Sequence, residues 1–388
     1  FPGRKAGMDR ETALARATVI ASEVLAPAAG ANDREGRFSV EAVRALGESG
    51  LLGLLLPEAV GGAQLGARDF ADITAILAAV DPSVSMVFVM HVLAAATIAA
   101  APDGSRLRPI LEDIAHGRHL STLAFSEAGS RSHFWAPVSR AERDGTAVRI
   151  SARKSWVTSA GYAQSYVVST LTPEAGGPTD STLYLVLADA TGLSVTGAWD
   201  GMGMRANAAA PMALDRCEVR PGMQLTRDAG GFAAMMETVL PLFNLGSAAV
   251  ALGICRAVVS ATAGHLKTAR FEHLGASLGE SLPTLRAQLA TMQIQTAGLA
   301  ARIDDLVRHL AQPDELTTLR VLETKAAAGE CAIDVTALAM RTCGGAAFSK
   351  HTSIERFFRD AHAGAVMAPT ADVLRDLIGK ALLGLPLF

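Results

Sequence analysis

The sequence predicts an α+β fold that is mostly α: an N-terminal helical domain (1–120), a central β-domain (121–226) and a C-terminal four-helix bundle (227–388). Three observations predict it. Ala-rich, breaker-poor segments fill the first third. Short apolar or alternating runs, cut by Gly and Pro, fill the middle. Long segments with helical apolar periodicity fill the remainder. With 388 residues, half of them hydrophobic, the chain is ample for two or three domains with sizeable cores.

Ala13 to Ala26 reads as helix, and Ser39 with Glu41 behind it caps a second helix over Ser39 to Leu46. Leu51 to Leu56 ends at Pro57, and Gly61-Gly62 marks a loop. Ser83 to Ala101 is apolar and long enough for a bilayer core of ~30 Å. It carries His91, Ser83, Ser85 and Thr97 and has no close basic flank, so it reads as a buried helix. In the middle, Asp144-Gly145 marks a hairpin turn before Val148 and Ile150. Ser165 to Leu171, Thr182 to Ala188, Leu193 to Thr196 and Pro211 to Val219 follow as strands. Phe232 to Leu266, Leu282 to Leu310 and Glu315 to Met340 are the long helices of a bundle.

A charged fraction of 19% and a mean hydropathy of +0.28 argue against disorder. The net charge of −3 leaves no basic excess to draw the chain to nucleic acid or an anionic membrane. Cys217, Cys255, Cys331 and Cys343 form no CxxC pair and read as reduced thiols. Phe1 to Lys5 lack an apolar signal core, and a cytoplasmic location is expected. No GxxxxGK and no GxGxxG after a strand is present. His116 and His119 flank Gly117 without a carboxylate at metal-site spacing, so no metal is expected and the pair reads as a solvated loop.

Two runs in the β-region are suggestive; taken alone, the first reads equally as an ordinary polar loop and the second as a core Trp with a satisfied Thr. Leu123 to Ser132 is rich in small and hydroxyl residues, which lets backbone N–H groups approach a phosphate or a ring. Trp156 and Thr158, two apart on a strand, point to one face and offer an indole plus a hydroxyl. Near the C-terminus, Gly344-Gly345 ends a long helix, and Arg356 and Arg359 lie beside Glu355 and Asp360.

In this order and spacing the segments resemble the acyl-CoA dehydrogenase family over nearly the whole chain. Leu52-Gly53-Leu54-Leu55-Leu56-Pro57-Glu58 with Gly61-Gly62 resembles its first-domain loop. Phe125-Ser126-Glu127-Ala128-Gly129 resembles the Thr-Glu-Pro-Gly signature, and Trp156-Val157-Thr158 the Trp-Ile-Thr strand. Gly203-Met204-Arg205-Ala206 through Cys217-Glu218-Val219 resembles the segment closing the β-domain. Gly344-Gly345 with Arg359-Asp360-Ala361 resembles the C-terminal signature. The resemblance implies a homotetramer or dimer with FAD between β-domain and bundle. It implies an acyl thioester of CoA or a carrier protein as substrate, and an electron-transfer partner or oxygen as acceptor. Phe125, Ser126, Trp156 and Thr158 would face the isoalloxazine, with Ser132 near the pyrophosphate. Arg270 resembles the arginine that reaches a neighbouring subunit's FAD, although the loop 271–275 differs in length. Arg341 (where Gln is usual), Gly344 and Gly345 would line the FAD of an adjacent subunit, and Thr370 matches the Thr after the catalytic position.

The family's chemistry needs a carboxylate to remove the proton α to the thioester. Counting on from Arg359-Asp360-Ala361, its Glu-Gly-Thr falls on Ala368-Pro369-Thr370, so the base is Ala368. The alternative position, counted back from Gly253, falls on Phe243-Asn244. General-base catalysis typically contributes ~100- to 10,000-fold. Candidate replacements are Glu237, His265, His133 and His362. The backbone N–H of Ala368 would keep half of an oxyanion hole. Three readings stand: desaturation of an acyl thioester with a relocated base, a flavin monooxygenase on the same fold, or a non-redox role for bound FAD. Bleaching of the flavin by a thioester and the oxygen reactivity of the reduced flavin discriminate them.

Overall fold

The computed structural model describes residues 8–102 and 106–388; Phe1 to Lys5, read above for a leader, lie outside it. The N-terminal helices are α1 (Arg10–Val19), a π-turn at Ile20–Leu25, α2 (Ala26–Glu35), α3 (Val40–Glu48), α4 (Ala67–Ala78), α5 (Pro82–Ala99) and α6 (Arg108–Ala115). Their starts are chemically marked. Asp9, Ser39 and Asp81 accept the backbone N–H of Thr12, Ala42 and Val84, and Pro82 occupies the first turn of α5. The helix expected over Ala13 to Ala26 continues through the π-turn to Glu35, where Gly36 (φ +62°) caps it. The apolar stretch tested for membrane crossing is α5, and 83% of its most apolar window is buried inside the fold.

The β-region holds β1 (Ser121–Ala124), β2 (Ala141–Asp144), β3 (Ala147–Val157), β4 (Ser165–Leu171), β5 (Ser181–Leu187), β6 (Leu193–Val195) and β7 (Ala210–Val219). One sheet has the order β1-β4-β5, with β1 parallel to β4; the other has the order β2-β3-β7-β6 and is antiparallel. The Asp144-Gly145 turn joins β2 to β3, with Asp144 opposite Ala147. The strand geometry at Trp156 differs from the expected alternation. A register shift lies between Lys154 and Val157, Trp156 takes φ +56°, and Thr158 follows the strand's last residue. A β-bulge, not the two-residue repeat, therefore aims this pair.

The C-terminal region comprises α7 (Gly231–Ala234), a π-turn (Met235–Val239), α8 (Leu240–Thr268), a small hairpin of β8 (Arg270–Phe271) and β9 (Ala276–Ser277), α9 (Leu278–Ser281), α10 (Pro283–Ala311), α11 (Thr317–Cys343), α12 (Gly345–Phe348), α13 (Ile354–Ala361), α14 (Ala363–Val366) and α15 (Ala371–Leu382). The helices α8, α10, α11 and α15 form the bundle, and α4 packs on α8. That crossing is tight: a Cβ at Gly253 would stand 2.5 Å from the Ala75 carbonyl oxygen. Charged residues bolt the three regions together. Arg359 pairs with Asp33 at 2.6 Å, Arg356 donates to the Val80 carbonyl, and buried Asp360 accepts the Met204 N–H at 2.6 Å.

The cysteines are all free thiols, as expected. His116 is exposed, whereas His119 is half-buried, its Nε2 2.7 Å from Ser165 Oγ, against β4. No cluster of three metal-ligating side chains occurs among the described residues.

Candidate functional site

The three regions meet around a cavity of about 560 Å³. Helix α5 contributes Met86 and Met90, four apart and so on one helical face. The loop after β1 contributes Phe125 to Ala128 and Ser130 to Ser132, and the end of β3 contributes Ser155, Trp156 and Thr158. The C-terminal region contributes Val239, Phe243, Ala363, Val366 to Ala368, and Thr370. The sequence motifs thus converge, although Phe125 and Thr370 are far apart in the chain.

One side of the cavity is built for a flat ring. The Trp156 indole is 64% exposed, which is unusual for so large an apolar group, and Trp199 meets it edge-on at 5.5 Å. Phe125 is buried and stacks on Phe134. The hydroxyls of Ser126 and Thr158 line the cavity without a protein hydrogen-bond partner among the described residues. The adjoining loop suits an anion. Arg131 and Ser132 take φ +42° and +74°, and the N–H groups of Ala128, Arg131 and Ser132 find no acceptor among the described residues. Arg131 adds the only cationic side chain lining the cavity among those residues. Ser132 is partly engaged, since its Oγ accepts the Thr370 N–H at 2.9 Å.

The other side is apolar and lacks a base. Ala368 and Phe243, on which the sequence count for the carboxylate falls, both face the cavity. The Ala368 N–H has no acceptor among the described residues, which leaves it free for a carbonyl oxygen. The one carboxylate on the wall among the described residues, Glu127, is committed. Burial opposes its ionisation. The Lys154 ammonium at 2.6 Å, Ser139 and the N–H groups of Val138 and Ser139 overcome this and hold the carboxyl below its ordinary range.

None of the four candidate replacement bases lines the cavity. Glu237 lies on the solvent side of its π-turn, rotated away from Val239, which does face inward. His265 is in the last turn of α8, about 33 Å along the helix from Phe243 at 1.5 Å per residue. His133 is exposed and its ring leans on Trp135. His362 places Nδ1 2.7 Å from the Phe358 carbonyl and sets its ring edge-on to Phe358. Arg270, Arg341, Gly344 and Gly345 are also outside the cavity. Arg270 lies on the β8–β9 hairpin and donates to the Gly275 carbonyl, while Arg341 and the two glycines are exposed at the end of α11. A Cβ added at either glycine meets open space.

Sequence reasoning missed Met86, Met90, Trp199 and Asn207 among the lining residues, and Lys325 just behind them. Lys325 carried a legible signal, a cation within the small apolar run Ala326-Ala327-Ala328.

Family models match the chain from end to end: "Acyl-CoA dehydrogenase, N-terminal domain" over residues 9–118, the "middle domain" over 122–217 and the "C-terminal domain" over 229–383. A probable acyl-CoA dehydrogenase, fadE25 of Mycobacterium leprae, is 26% identical over 95% of this chain and 94% of its own length. The 3-sulfinopropanoyl-CoA desulfinase of Paraburkholderia xenovorans is 28% identical over 94% of this chain and 93% of its own. The butyryl-CoA dehydrogenase structure from Megasphaera elsdenii superimposes with a TM-score of 0.90, covering 99% of this chain and all of that one at 21% identity. Matched in all three of its parts, with the cavity where those parts meet, the chain belongs to the acyl-CoA dehydrogenase family and is a flavoenzyme of that fold.

Proposed function

We propose that the chain binds FAD in this cavity and holds an acyl thioester beside it, and that it acts without a carboxylate base. The observation that carries this reading is the wall itself: the positions counted for the base are filled by Ala368 and Phe243, both of which line it, and Glu127 is held in an ion pair with Lys154. The exposed indole of Trp156 and the free hydroxyls of Thr158 and Ser126 suit the isoalloxazine. The unpartnered N–H groups of the 128–132 loop, with Arg131, suit a pyrophosphate. FAD, when bound, supplies two-electron redox chemistry. The chain's own residues orient the thioester, offer the Ala368 N–H to its carbonyl, and shield it between Met86, Met90 and Met367. Arg270, Arg341, Gly344 and Gly345 are then left to complete the FAD site of a second subunit.

Two reactions on this fold need no α-carboxylate. A non-redox one is favoured by the likeness to a desulfinase, whose name describes carbon–sulfur cleavage on an acyl-CoA. Oxygenation is favoured by the apolar substrate-side wall, into which oxygen partitions readily.

The test is an anaerobic titration of the purified holoprotein with acyl-CoAs of graded length, followed by flavin absorbance. The expected result is a perturbed flavin spectrum without bleaching. Rapid bleaching by any chain length would overturn the base-free reading. No spectral change with any thioester would overturn the thioester reading. Re-oxidation by air after chemical reduction, with product analysis, then separates oxygenation from non-redox turnover.

A further inference from the structure

Lys325 on α11 is only 2% exposed, and no carboxylate meets it among the described residues. Its Nζ donates to the carbonyls of Pro369 at 2.7 Å, Met367 at 3.1 Å and Gly364 at 3.3 Å. It lies 5.8 Å from the centre of the Phe243 ring. Three acceptors match the three N–H groups of an ammonium, whereas a neutral amine leaves one carbonyl without a donor. All three carbonyls belong to the short segment that carries Ala368 and leads into Thr370, both on the cavity wall. An ammonium buried without a counter-ion is costly, and an apolar residue would pack α11 more cheaply. The charge at this place therefore has a purpose other than packing.

We propose that Lys325 is a positioning residue: its ammonium, gripping Gly364, Met367 and Pro369, fixes the turn that presents Ala368 and Thr370 to the substrate, and loss of the charge loosens that wall alone. Burial brings the Lys325 ammonium down from 10.5 to about 7, so the grip weakens as pH rises through neutrality. Charged groups on the neighbouring elements are engaged elsewhere. On α13, Asp360 accepts from Met204, Arg359 pairs with Asp33 and Glu355, and Arg356 donates to Val80. Glu330 on α11 pairs with Arg375 on α15, and His362 bonds the Phe358 carbonyl. Toward α8, Lys325 meets the Phe243 ring.

The experiment is hydrogen–deuterium exchange on the FAD-loaded full chain, wild type beside Lys325→Met and Lys325→Gln, from pH 6 to 8.5 and corrected for intrinsic exchange. In the wild type, the bonded N–H groups of Met367 and Thr370 are expected to be protected at pH 6 and to lose about tenfold or more of that protection by pH 8.5. In both variants these two amides should exchange fast at every pH, with α8 and α13 unchanged. A second arm measures the affinity of an unreactive thioether analogue of acyl-CoA by its effect on the flavin spectrum; about tenfold weakening is expected in both variants. The second arm rests on the thioester reading and the first does not. An analogue silent on the wild type would therefore sink that reading and leave the exchange result to judge Lys325. Unchanged exchange in both variants, or equally faster exchange throughout α11 and α13, would overturn the proposal.

Discussion

Glu127 shows why a carboxylate on a cavity wall is not automatically a base. Its two oxygens accept from Lys154, from the Ser139 hydroxyl and from two backbone N–H groups, so no lone pair is left in a basic environment. Ala368 lines the cavity and, on the reading proposed above, stands where a base would be needed. Supplying one is the direct check. Ala368→Glu is expected to gain α,β-desaturation of a short acyl-CoA by about 100-fold or more over the parent, the usual worth of a placed general base. The readout is the anaerobic rate of flavin bleaching. A variant that binds FAD and thioester as well as the parent yet bleaches no faster would show that the α-carbon does not lie against residue 368.

At the scale of elements, the site depends on how closely β-region loops approach the C-terminal helices. Gly203, just before the loop residue Met204 that lines the cavity, has no room for a side chain. A Cβ there would stand 2.5 Å from the Arg359 carbonyl oxygen and 2.8 Å from the Asp360 nitrogen. Both are backbone atoms of α13, which cannot swing aside as a side chain can. Gly203→Ala is therefore expected to cost more than about 2 kcal/mol, within the range of strongly destabilising substitutions. It should also weaken FAD binding, because Met204 and Asn207 follow on the same loop. Denaturant melts with and without added FAD measure both effects; a melt superimposable on the parent would show that the loop yields freely.

At the scale of the whole molecule, Asp360 joins the C-terminal bundle to the β-region from a fully buried position. Burial raises its carboxyl from 3.8 to about 7, against the opposing pull of the Met204 N–H and of Arg356. The sign follows from proton binding. Between those two values the fold holds a proton that the unfolded chain has released, so this group makes stability fall as pH rises across the window. Asp360→Asn keeps the acceptor oxygen and removes the titration. The expected outcome is a flatter dependence of unfolding free energy on pH between about 4 and 7, with no loss of stability at pH 7. An unaltered slope would assign the pH dependence to other groups.

The sequence by itself determined the order of helical, β and helical regions, because hydrophobic periodicity and Gly/Pro punctuation are local properties. The strand at 165–171 and the cap at Ser39 are legible for that reason. It also determined the family, through motifs whose order is preserved. Only the tertiary structure decided which residues share a cavity. Met86 and Met90 belong to an apolar helix in which every face looks alike from the sequence. Trp156 is aimed by a bulge that no two-residue repeat foretells. Glu237 and His265 sit in the right helical segment yet turn away from the cavity or lie at its far end, since direction and depth are fixed by packing. Lys325 reads as an isolated cation in the sequence. It becomes a clamp on residues 364–369 only because α11 is pressed against that turn, where its ammonium supplies the donors for three carbonyls, that of Pro369 buried and those of Gly364 and Met367 partly so.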